Sequence, residues 1–101
     1  MTDGKRPVSL ADLRARRDKF VAVAARRGAT NIRVFGSVAR GEEHPGSHVD
    51  LLVSFEPGRS LLDRVHLIDE IAGILGASVD VVAEGGLLAR DHHIRDEAVA
   101  L

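Results

Sequence analysis

Two different spacings of apolar residues along the chain predict its helices and strands. Apolar residues recur at helical spacing over residues 10–27 and again over 61–75, and a glycine follows each segment. A Ser-x-x-Asp capping box precedes each segment, at Ser9 and at Ser60. The pattern therefore indicates two amphipathic helices with defined beginnings and ends.

Short runs rich in β-branched residues predict three strands, over residues 31–35, 49–55 and 78–82. The middle run is apolar on both faces, which is typical of a central strand. Residues 41–48 combine Gly, Pro, Ser and charge and predict an exposed loop. The segment 87–101 is predicted to be a last amphipathic helix, so the expected order is αββαβα.

The length of 101 residues suits one domain that covers positions 1–101. We expect an α/β (α+β) fold: a small three-stranded sheet of mixed direction with the helices packed on one face, which would bury each apolar stripe. Internal repeats and low-complexity tracts are absent from the sequence.

Composition excludes several classes of protein. The chain has no cysteine, so disulfides, thiolate metal sites and cysteine nucleophiles are excluded. It has neither an apolar stretch of the roughly 18 to 20 residues that a membrane span needs nor the apolar region of a signal peptide, and a cytoplasmic location is expected. With a net charge of −1 and no Trp or Tyr, direct nucleic-acid binding is not expected.

A turn follows the first strand and carries the first candidate chemistry. Gly36 permits a tight turn and close approach of a ligand to the backbone, and Ser37 adds a hydroxyl and a backbone N–H where a short helix is expected. Such a turn suits a phosphate, although Ser37 as a simple helix N-cap is the alternative. Arg40 lies one turn further on, where it could contact a phosphate or pair with Glu42 and Glu43 on the surface.

Acidic residues lie on the other two predicted strands. Asp50 begins the second strand, and His48 would share its face because strand side chains alternate. Asp80 lies within the third strand, where a carboxylate needs a cation or a donor. The three strands are expected to bring these groups and the turn to one edge of the sheet. A zinc site formed by His44, His48 and Asp50 is the weaker alternative.

One part of the sequence resembles the signature of the DNA polymerase β-type nucleotidyltransferases. It consists of the stretch GSVARG and of HVDLLVSF, which begins after ten intervening residues from Ser37. The strand VDVV and the closing IRDEAVAL are similar to the minimal nucleotidyltransferases within that superfamily. The resemblance implies the polymerase β-type fold, with Gly36 and Ser37 as the phosphate turn, Arg40 as a phosphate neighbour, and Asp50 and Asp80 as ligands of Mg²⁺. It implies ATP as the substrate.

One position departs from that family pattern. His48 lies where the family has its first aspartate, so it takes the place of a catalytic metal ligand. An imidazole offers one nitrogen and no negative charge, matches Mg²⁺ less well than an oxygen, and suits Mn²⁺ somewhat better. We therefore expect weak or absent transfer, with nucleotide binding retained.

Small members of this family resemble the antitoxins of toxin–antitoxin pairs, which transfer AMP to a tyrosine of a helical HEPN-type ribonuclease toxin. The resemblance implies an adenylyltransferase antitoxin that forms an oligomer with itself or with the toxin. A second hypothesis is a non-catalytic antitoxin that occludes its toxin by binding it. A third, weaker one is a free-standing transferase that acts on a small molecule or an RNA end.

Overall fold

A computed structural model describes residues 7–46 and 48–101 of the chain. In this part of the chain, four strands form one sheet in the order β3-β2-β1-β4. Strand β1 runs antiparallel to both of its neighbours, whereas β2 and β3 are parallel. The strands are β1 (Ala29–Phe35), β2 (Val49–Phe55), β3 (Val79–Ala83) and β4 (Val99–Ala100).

The two longest helices cover one face of this sheet. The α-helices are α1 (Leu10–Ala15), α2 (Arg17–Arg26), α3 (Gly36–Arg40), α4 (Leu61–Leu75) and α5 (His92–Glu97). Helix α2 packs against β1, α4 packs against β3, and the two helices contact each other. Two 3₁₀ turns, Glu84–Gly86 and Ala89–Asp91, connect β3 to α5.

The core lies between these helices and the sheet. Val49, Leu51 and Val53 of β2 belong to it, together with side chains of the two long helices such as Phe20 and Leu67. Because side chains alternate along a strand, the residues between them point to the opposite face of the sheet. That second face carries the polar groups of the candidate site.

Most of the predicted elements are confirmed, with boundaries close to those expected. Ser9 and Asp12 form the predicted capping box, in which each backbone amide donates to the other side chain at 3.0 and 3.1 Å. Arg16, whose amide donates three residues back to Leu13, divides the first predicted helix into α1 and α2. The predicted loop at 41–48 has no helix or strand among its described residues, and position 47 lies outside them.

The α/β fold class is confirmed, but two details at the end of the chain were wrong. The sheet has four strands, not three, and the predicted helix over 87–101 reduces to α5. The reason is the open edge of β1, whose backbone groups need partners. Val99 and Ala100 pair with Val34 and Arg33, and the Leu101 amide donates to the carbonyl of Ile32 at 3.2 Å.

Among the described residues, no helix combines the length and the apolar character needed to cross a membrane.

Candidate functional site

The turn after β1 touches the start of β2. Gly36 has a φ of 76°, which L side chains adopt only with strain, and a Cβ built there would lie 2.3 Å from Oδ2 of Asp50. The pairing of Phe35 with Asp50 across the two strands produces this close approach. Only glycine therefore allows the turn to lie directly against the carboxylate.

The two predicted aspartates are direct neighbours across the sheet. In the parallel pair of β2 and β3, Asp50 is the register partner of Asp80, so both side chains emerge on the same face. The side chain of Asp50 is 17% exposed and that of Asp80 is 53% exposed. The structure thus brings the turn and both aspartates to one edge of the sheet, as the sequence predicts.

The surroundings of Asp50 disfavour its negative charge. Burial raises the pKa of Asp50 above its ordinary value, and the charges of Asp80 and Glu97 raise it further, whereas His48 lowers it. A cation placed between these carboxylates would relieve the repulsion. Perturbed carboxyl groups that share an edge are typical of functional sites.

His48 contacts the same carboxylate. Its Nδ1 lies 2.9 Å from Oδ1 of Asp50, and its side chain is 59% exposed. The imidazole therefore occupies one oxygen of the aspartate that the resemblance assigns to the metal. It lies immediately before β2 and reaches the Asp50 side of the sheet, as the alternation of side chains predicts.

Arg40, the predicted phosphate neighbour, is engaged by two carboxylates. Its Nε donates to Glu42 at 2.8 Å, and its Nη1 donates to Glu97 of α5. The surface pairing with Glu42 was the alternative that the sequence left open, and in the described part of the chain no hydrogen bond joins Arg40 to Glu43.

Sequence reasoning missed two charged residues beside the aspartates. Glu97 lies close enough to Asp50 to raise its pKa. Arg64 of α4 donates from Nε to the carbonyl of Val81 at 2.6 Å, and its Nη2 lies 4.0 Å from Oδ1 of Asp80. Glu97 falls inside the IRDEAVAL stretch, so the family resemblance could have pointed to it as a site residue. Arg64 has no such motif, because its position within α4 does not predict its contact with β3.

The donor set fits Mg²⁺ held together with a nucleotide. Among residues 7–46 and 48–101, no group of three or more His, Asp or Glu side chains is arranged to hold a metal ion. Proteins commonly bind Mg²⁺ through one or two carboxylates, with substrate phosphates as further ligands. Asp50 and Asp80 supply that number of carboxylates next to the turn, and the raised pKa of Asp50 marks a place where a cation is favourable.

This geometry defines a small α/β domain whose parallel strand pair carries two aspartates beside a glycine turn. Residues 17–99 match the model of the nucleotidyltransferase domain family. The chain belongs to that family. This match confirms the resemblance to nucleotidyltransferases that the sequence motifs indicated.

A solved structure of a candidate minimal nucleotidyltransferase superposes with a TM-score of 0.82 at 49% identity, over 92% of this chain and 96% of that one. A candidate protein adenylyltransferase of Methanocaldococcus jannaschii is 39% identical over 83 residues, which are 80% of this chain and 88% of the relative. The protein adenylyltransferase MntA of Thermococcus cleftensis is 44% identical over 62 residues, or 61% of this chain and 63% of MntA. Protein adenylyltransferases are thus among its relatives.

A crystal structure of a toxin–antitoxin with AMP-PNP superposes with a TM-score of 0.71, over 82% of this chain and 69% of that one. Its sequence identity of 20% establishes a common fold alone.

Proposed function

We propose that the chain is a nucleotidyltransferase-type antitoxin that transfers AMP from ATP to a tyrosine hydroxyl of a HEPN-type toxin. The observation that carries the proposal is the pairing of Asp50 with Asp80 directly beside Gly36. The relationship to protein adenylyltransferases supports the reaction class, and the fold shared with a toxin–antitoxin structure is compatible with the partner.

In this reaction the Gly36–Ser37 turn would seat the phosphates of ATP, and Asp50 and Asp80 would hold Mg²⁺. When bound, the metal ion would neutralise charge on the transferred phosphoryl group and on the leaving pyrophosphate. The acceptor oxygen forms a bond to the α-phosphorus, the bond from that phosphorus to the bridging oxygen breaks, and pyrophosphate leaves. The hydroxyl proton passes to water.

His48 limits this reaction in our proposal. It replaces a carboxylate by an imidazole, which brings no negative charge, and its Nδ1 contact engages an oxygen of Asp50 that would otherwise be open to the metal ion. Transfer by the natural sequence is therefore slow, and it is faster with Mn²⁺ than with Mg²⁺ because manganese accepts an imidazole ligand more readily.

The test combines the protein, the product of its neighbouring gene, ATP and either metal ion, and measures by mass spectrometry whether the neighbour gains AMP. We expect His48→Asp to raise the rate by at least about tenfold, because it restores a carboxylate to the metal site. His44→Asp is the matched control: it makes the same substitution at an exposed loop histidine and should leave the rate unchanged. Equal rates for the natural protein and His48→Asp would refute the role of His48.

A non-catalytic antitoxin is the second candidate, and the His48–Asp50 contact is the observation that favours it. It predicts a stable complex with the neighbour and no AMP on it, with transfer only after His48→Asp. Modification of an RNA end or a small molecule without any neighbour would instead support the free-standing transferase.

A further inference from the structure

Arg40 connects two parts of the chain that are far apart in sequence. Its guanidinium donates to Glu42, two residues away, and to Glu97, which is 57 residues away. The side chain of Glu97 is only 21% exposed, whereas that of Glu42 is 65% exposed. The pairing with Glu97 is thus the more protected of the two and the one that joins separate elements.

Helix α3 needs such a connection because it is short. It has five residues, and an isolated helix of this length does not persist in water. Val38, which is 2% exposed, holds its middle in the core. Arg40 is its last residue, so an anchor there fixes the end opposite the turn and prevents α3 from rotating about Val38.

Glu97 is itself held in place by the sheet. It ends α5, and two residues later Val99 pairs with Val34 of β1. Two residues before Glu97, Arg95 lies 3.5 Å from the carboxylate of Glu84, which follows β3. Glu42, in contrast, lies two residues after the end of α3, and its amide donates back to the Ser37 carbonyl at 2.8 Å, so it moves with α3.

We propose that Glu97 is a positioning residue of the nucleotide site: its ion pair with Arg40 fixes α3, and with it the Gly36–Ser37 turn, against Asp50. The inference rests on the proposed function, which assigns the Gly36–Ser37 turn to nucleotide binding. It reassigns Arg40 from a phosphate ligand to a tether of the phosphate turn.

Two carboxylates on one guanidinium provide a matched experiment. Glu97→Ala and Glu42→Ala each remove one carboxylate from Arg40, but only the first removes the ion pair between α3 and α5. Amide hydrogen exchange at Gly41 and Glu42, whose amides bond to carbonyls within α3, reports the mobility of α3 without any nucleotide. Titration calorimetry with ATP in the presence of Mg²⁺ measures the ATP affinity of the site.

For Glu97→Ala we expect exchange at these two amides to rise by about threefold to tenfold, and ATP affinity to fall by a similar factor. Glu42→Ala should change both by less than about twofold. Arg40→Gln should match Glu97→Ala, and the double variant Arg40→Gln/Glu97→Ala should be no worse than either, because both remove the same ion pair.

Unchanged exchange in Glu97→Ala would overturn the tether, as would additive effects in the double variant. Tighter ATP binding by Glu97→Ala would also overturn it, since a freed Arg40 would then be binding phosphate. A natural protein that binds no ATP would contradict the proposed function instead, while the exchange data would still decide about the tether.

Discussion

Two carboxylates on one face of the sheet have pKa values that are shifted in opposite directions. Glu84 follows β3 and accepts hydrogen bonds from Arg33 and from Ser54, and Arg95 lies nearby. The Arg33 guanidinium holds the pKa of Glu84 below its ordinary value. Asp50, four residues before Ser54 on β2, has a pKa raised by burial and by its acidic neighbours.

This difference distinguishes a carboxylate that is paired within the fold, Glu84, from the one that we propose as a metal ligand, Asp50. Glu84 is paired with cations from β1 and α5, so its charge connects elements of the fold. Burial and the charges of Asp80 and Glu97 raise the pKa of Asp50, although the contact with His48 lowers it, so the negative charge of Asp50 is a net cost to the fold. Such carboxyl groups are frequent at functional sites, which agrees with the cation that we propose beside Asp50.

The largest expected effect comes from neutralising each carboxylate in turn. Asp50→Asn, made in the His48→Asp background that we expect to be more active, should lower AMP transfer by at least about a hundredfold, because it removes a proposed ligand of the metal ion. Glu84→Gln in the same background should change the rate by less than about threefold, because Glu84 contacts residues of the fold only.

Thermal unfolding is the second readout for this pair. Glu84→Gln should lower the melting temperature, since it weakens the contacts with Arg33 and Arg95, whereas Asp50→Asn should leave it unchanged or raise it. A loss of transfer in Glu84→Gln as large as in Asp50→Asn would remove the distinction between the two carboxylates.

Two glycines give the next prediction, at the two ends of α3. Gly36 and Gly41 have similar φ values of 76° and 72°, but a Cβ at Gly41 meets nothing within 4 Å. Gly41→Ala should therefore cost about 1 kcal/mol in the free energy of unfolding, from backbone strain alone. Gly36→Ala should cost about 3 kcal/mol and abolish transfer, because its Cβ also collides with Asp50.

Chemical denaturation of both variants measures these costs, and transfer assays below the unfolding range measure activity. Equal destabilisation by the two substitutions would mean that the turn does not lie against Asp50. Normal transfer by Gly36→Ala would contradict the assignment of the turn to the nucleotide.

Local sequence patterns predicted the parts of the site that depend on strand periodicity. Asp50 and Asp80 each fall near the beginning of a predicted strand, and two parallel strands in register bring equivalent positions together. The glycine before Ser37 signalled a turn by its conformational freedom. These inferences needed no knowledge of distant contacts.

Contacts between distant segments were beyond such patterns. The end of the chain has a helical apolar spacing, yet Val99 and Ala100 pair with β1, because the exposed edge of a strand outweighs a weak helical preference. Likewise, Arg40 has acidic neighbours in sequence, but its partner on α5 depends on how the last helix packs. The role of Glu97 became visible only in three dimensions.

The smallest expected effect is a difference in how the two carboxylates make stability depend on pH. The pKa of Glu84 is lowered in the folded protein, so its contribution is present above the unfolded value of about 4.3 and is lost as pH falls through the folded value. The pKa of Asp50 is raised, so its effect is reversed: stability is greatest below about 3.9 and decreases as pH rises through the folded value. Melting curves between about pH 3 and pH 7 should therefore show that Glu84→Gln removes a gain with rising pH, whereas Asp50→Asn removes a loss. Parallel changes in the two variants would mean that Asp50 is as well compensated as Glu84, and the case for a cation at the strand edge would lose its electrostatic support.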